Sequence, residues 1–93
     1  MPDYEVTRIV QQSILDGGKS AKQVAREIGK PYSTMLREAN PYDVTAKVGV
    51  ETLLDIMRAT GDPAPLAYMA RVLGYELRRI GQENAEQAAR AAV

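Results

Sequence analysis

Apolar residues recur along the chain at intervals of three and four rather than two, the spacing of amphipathic helices and not of half-buried strands. Val6, Ile9, Val10 and Ile14 form a first helical face, which Gly17-Gly18 ends. Ser20 is placed to cap a short second helix carrying Val24, Ala25 and Ile28, closed by Gly29. Pro31 suits the start of a third helix through Met35, Leu36 and Ala39, stopped by Asn40-Pro41. After a loop, Val50, Leu53, Leu54 and Met57 mark a fourth helix that ends near Gly61. Asp62 as N-cap and Pro63 as first helical residue then open a fifth, with Leu66, Met69, Ala70 and Leu73 facing inward. From about Glu76 the chain stays helix-prone but has fewer large apolar side chains. Nothing reads as a strand. The expected fold is all-α, five or six short helices, with residues 1–75 as the domain and 76–93 as a helical tail. The expected core is Val6, Ile9, Val10, Val24, Ile28, Met35, Leu53, Leu54, Met57, Leu66, Met69 and Leu73.

The stretch SAKQVAREIGKPYSTMLREAN, residues 20–40, carries the most information. It holds two helices of about two turns joined at Gly29, with the small Ala25 where they would cross. A helix-turn-helix needs these features for steric reasons. A small residue lets two helices approach steeply, and glycine adopts the left-handed conformation that turns the chain. The plain alternative is an ordinary pair of short helices in an α-helical domain.

Composition narrows the function. Ninety-three residues make one small domain. The chain has no cysteine and no histidine, which removes disulfides, thiolate chemistry, the commonest general base and the commonest metal ligand. An enzyme is not expected, nor a metal, a cofactor or a small-molecule substrate. No run of 18 apolar residues occurs and the opening residues are polar, so a cytoplasmic protein without membrane contact is expected. Twelve basic residues balance twelve acidic ones, which argues against a protein that coats nucleic acid by bulk charge. The charge is unevenly placed, however. From Lys19 to Lys47 six basic residues face three acidic ones, a local +3, and the rest of the chain is −3. Positive charge gathered on the helix pair fits a duplex-binding face.

The run VAREIG, then STMLREANPYD, GVETLLDIMRATGD and PLAYMARVLG, resembles the phage regulatory protein CII family of temperate phages and prophages. Members typically show a helix-turn-helix whose recognition helix ends in Asn-Pro, then a leucine-rich helix ending in a Thr-Gly-Asp-like corner. Asn40-Pro41 and Thr60-Gly61-Asp62 occupy those places, and the resemblance runs over residues 20–75. It implies a λ-repressor-like helix-turn-helix bundle that binds DNA and controls transcription of phage genes. Glu38 stands where the family often has a basic residue, and the last apolar position of the helix is the small Ala39.

Within this frame Tyr32, Ser33, Thr34 and Arg37 are the base-reading candidates, because they fall at the start and on the outer face of the third helix. Arg37 has the reach to make a bidentate pair with guanine; a surface salt bridge is the equal alternative for it. For Ser33 and Thr34 the alternative is a helix N-cap. Lys19, Ser20, Lys22 and Lys30 flank the second helix and the turn, where side chains hold phosphates, against simple solvation. Asn40 is read as a cap first and a phosphate contact second. Tyr42 and Lys47 lie in the following loop as further phosphate candidates. Tyr68 and Tyr75 are read as core or rim. The favoured function is a sequence-specific transcription regulator on double-stranded DNA. One such module buries little surface, so a homodimer or higher homo-oligomer on two half-sites is expected, with 76–93 as the candidate association segment. The second class is a helical adaptor that docks a protein and binds no DNA.

Overall fold

The structure, a computed structural model, describes residues 4–80. Five helices follow in order: α1 (Glu5–Leu15), α2 (Ala21–Ile28), α3 (Tyr32–Glu38), α4 (Val50–Thr60) and α5 (Ala64–Val72), with no strand among the described residues. The expected all-α architecture is the one observed. The α1 helix packs against α2, α4 and α5, while α2 packs on α4 and α3. One core results, built from Val10, Ile14, Val24, Ala25, Met35, Ala39 and Ile56.

Local chemistry explains the boundaries. Glu5 places a negative charge in the first turn of α1, where the helix dipole favours it, and pairs with Arg8 one turn on. Ser20 caps α2 as expected, its Oγ accepting from the Gln23 N–H at 3.2 Å. Gly29 ends α2 with φ +70°, and the Lys30 and Gly29 N–H groups donate to the Ala25 and Arg26 carbonyls in the Schellman arrangement. The same arrangement ends α5, where Gly74 has φ +88° and Tyr75 and Gly74 donate to Ala70 and Arg71. The α5 helix begins at Ala64, one residue later than expected, with Pro63 in the cap position. Asp62 still guards that end: its Oδ1 accepts from the Ala64 N–H at 3.0 Å, and its Oδ2 accepts from the buried Ser13 hydroxyl of α1 at 2.8 Å.

Packing corrects several inward assignments. In α4 the buried residue is Ile56, with Leu53 partly buried beside it, whereas Leu54 is exposed and Val50 is 83% exposed. The helix carries two adjacent apolar seams, 50–54–57 and 53–56–59. The second is chosen because its small Ala59 lets α2 come close. In α5 Leu66 and Leu73 are exposed, Met69 and Ala70 are half-buried, and Pro65 is the buried residue. Tyr68 is half-buried and Tyr75 exposed, at the rim rather than in the core. Residues 75–80 have no helical structure, so no tail helix starts at Glu76. The rest of the expected tail, 81–93, lies outside the described residues.

Full burial of Ile14, Met35 and Ile56 contributes about 1.5–3 kcal/mol each. These side chains join the α2–α3 pair to α1 and α4 in one core.

Candidate nucleic-acid interface

The α2–α3 pair sets the geometry of the candidate interface. Ala21, Val24, Ala25 and Ile28 recur at one helical face of α2 and turn it toward the core, with Val24 and Ala25 fully buried. In α3 Met35 is buried and Leu36 partly buried, and Ala39, the C-cap residue just after it, is buried as well. This fixes the opposite side outward. Tyr32, Ser33, Thr34 and Arg37 are all exposed, as the sequence predicts, and Ser33, Thr34 and Arg37 share one face at successive-turn spacing. Neither Ser33 nor Thr34 caps the helix: the cap position is Pro31, without a side-chain cap bond. Both hydroxyls therefore stand on the exposed face. Lys22 of α2 sits 5.7 Å from the centre of the Tyr32 ring, within cation–π range, and joins the two helices across the outer edge.

The remaining phosphate candidates are more engaged than their sequence positions imply. Lys19 donates to Glu27 at 2.7 Å and Lys30 to Glu38 at 2.6 Å. Arg37 lies 3.5 Å from Asp43, so the alternative weighed for it, a surface ion pair, is present here. Lys47 donates to the Asp43 carbonyl at 3.0 Å and lies 4.4 Å from the centre of the Tyr4 ring, tying the loop to the start of α1. Asn40 is no side-chain cap on α3; its Oδ1 accepts from the Tyr42 N–H at 3.0 Å and shapes the turn that follows. Tyr42 is 92% exposed. Ser20 is engaged in its cap. Arg26, given no role from the sequence, is exposed in the last turn of α2 and makes no ion pair among the described residues. Its place in the basic segment was the available signal for it.

Electrostatics follow these contacts. The Lys19 ammonium, hydrogen-bonded to Glu27, holds that carboxyl below its ordinary pKa, helped by Gln23. Thr45 does the same for Asp43 through its hydroxyl and its backbone N–H, and Arg37 and Lys47 add to the effect. Both carboxylates are therefore charged at neutral pH. The arrangement is a firm, polar, outward helix face bordered by cations, several of them already holding a carboxylate.

The sequence model of the phage regulatory protein CII (CP76) family matches residues 5–93, nearly the whole chain. The match extends past the 20–75 stretch of the motif resemblance, over α1 and the C-terminal segment. No curated protein and no solved structure matches the chain. No helix among the described residues is long and apolar enough to cross a membrane. The chain belongs to the phage regulatory protein CII family.

Proposed function

We propose that this regulatory protein binds duplex DNA sequence-specifically through α2 and α3, used as a helix-turn-helix with α3 as the recognition helix. The observation that carries the reading is the exposed face of Ser33, Thr34 and Arg37, presented on a helix whose other side is locked by Met35 and Ala39. A recognition helix needs this combination, because base edges are read by side chains held in fixed register. Lys22 and Arg26 supply phosphate contacts beside it, joined by Lys19, Lys30 and Lys47 once these leave their present partners. Ser20, Asn40 and Tyr42 are assigned further polar contacts in this reading.

One such module is too small for tight specific binding, so two copies act together. Leu66, Val72, Leu73 and Tyr75, exposed along and just after α5, are the apolar surface we assign to association of two copies. The same surface favours the second reading, an adaptor that docks another protein without DNA. Titration of the protein with mixed-sequence duplex across a salt series separates the two. Binding that weakens steeply with salt supports the DNA reading, and absence of binding at low salt supports the adaptor. Selection from a random duplex pool then tests specificity. Arg37→Ala is expected to cost about 1–3 kcal/mol on the selected site and to relax one base pair. An unchanged consensus would remove the base-reading role from Arg37.

A further inference from the structure

Between Lys19 and Lys47 the chain has three carboxylates, Glu27, Glu38 and Asp43, and each sits on a different cation of the candidate interface. These are not the local pairs that helices make with themselves, such as Glu5–Arg8 on α1. Lys19 precedes α2 and reaches its last turn at Glu27. Lys30 in the turn reaches Glu38 at the end of α3, and Arg37 of α3 reaches Asp43 in the next loop. Lys19–Glu27 is a surface pair, Arg37–Asp43 has its arginine exposed, and Lys30–Glu38 is part-buried; surface pairs of this kind add little to folding. Their main consequence is electrostatic: among the described residues three of the six cations in the segment are matched by a carboxylate, and Lys22, Arg26 and Lys47 are not.

A phosphate that recruits Lys19, Lys30 or Arg37 must displace a carboxylate and leave it beside the DNA backbone. That cost falls on every duplex alike, whereas base contacts offset it only on the right sequence. Resting on the DNA-binding reading above, we propose that Glu27, Glu38 and Asp43 are specificity-determining residues: they withhold three cations from phosphate and thereby suppress binding to non-cognate DNA. The geometry suits such competition. Glu27 is exposed, and Glu38 and Asp43 are only partly buried, so none of the three carboxylates is closed off from solvent. Asp43 has a second task, since its Oδ1 accepts from the Thr45 N–H and hydroxyl, and asparagine at this position keeps that oxygen.

The test compares the full chain with E27Q/E38Q/D43N on a random-sequence duplex and on the duplex selected by the wild type, over a salt series. The triple variant is expected to bind the random duplex roughly tenfold or more tightly at low salt. Its salt slope should steepen by about 0.9 for each cation released, nearly three units in all. The ratio of selected to random affinity should fall. A thermal melt verifies that the variant is folded; if D43N disturbs the loop, E27Q/E38Q carries the test with nearly two units of slope. An unchanged random-duplex slope in a folded variant overturns the proposal while leaving DNA binding intact. Loss of affinity for the selected duplex alone also overturns it, because the carboxylates would then be contacting bases. Failure of both wild type and variant to bind either duplex overturns the DNA-binding reading, and this inference with it.

Discussion

The α2–α3 pair and the stretch from α5 to residue 80 carry apolar residues at the same three-and-four spacing, yet the fold covers them differently. In the pair, Val24, Ala25, Met35 and Ala39 are each 2% exposed or less. In the second stretch Pro65 alone is buried, and Leu73 and Tyr75 are each 72% exposed. The difference lies in what stands opposite. The α2 helix has α4, α3 and α1 to close against, whereas α5 leans chiefly on α1. Spacing names the side of a helix that wants cover; only the neighbours decide whether it gets it. The pair shows polar chemistry outward, and α5 leaves apolar side chains exposed.

Truncating the core is the strongest way to break this comparison. Met35→Ala and Ile56→Ala are each expected to cost about 2–5 kcal/mol in urea unfolding, whereas Leu73→Ala in dilute protein should stay within about 0.5 kcal/mol. Equal costs at Met35 and Leu73 would mean that α5 is covered after all. A smaller effect probes how α5 is held. Asp62→Ala strands the buried Ser13 hydroxyl and the Ala64 N–H together, for about 1–3 kcal/mol, against about 1 kcal/mol for the single cap bond lost in Ser20→Ala. Parity of the two would show that the Ser13 contact contributes nothing. Leu73→Ser, near neutral for folding, should lower the mass seen by analytical ultracentrifugation if α5 joins two copies. The smallest effect is acid sensitivity in and beside the pair. The Glu27 and Asp43 pKa values are depressed in the folded chain, so their stabilisation is complete above the unfolded value of about 4 and is lost as pH falls through the folded values. Both are solvent-facing, so the acid limb should be shallow, and shallower still in E27Q/D43N when urea midpoints are followed down in pH.

How far the sequence discloses all this depends on the uniqueness of each pattern. The α2 helix has one apolar seam, a serine before it and a glycine after it, and its boundaries and buried face are legible from those alone. The outward set of α3 follows from Met35 and Ala39 pointing the other way. In α4 two seams compete, and the choice of Ile56 over Leu54 rests on the close approach of α2, which no local pattern encodes. The ion pairs of Lys19, Lys30 and Arg37 join residues six to eight positions apart, along α2, along α3 and into the next loop, so they become visible only when those elements have set their geometry. The polar role of Asp62 is half legible: the cap is local, but the hydroxyl it receives comes from α1.

That hydroxyl lies 49 positions earlier in the chain, and its bond closes α1 onto the corner between α4 and α5. Bundles built from neighbouring helices fold quickly, since few residues separate their contacts. Here the opening helix must wait for its late partners. In synthesis from the N-terminal side α2 and α3 are expected to pair before α4 has emerged, whereas α1 gains its α4 contacts, and Ser13 its partner Asp62, only later. At about 5–20 residues per second that interval lasts seconds. The expected consequence is a period with the helix pair formed and the hydrophobic flank of α1 open, which limited proteolysis of stalled nascent chains would read as greater cleavage in α1 than in the finished protein.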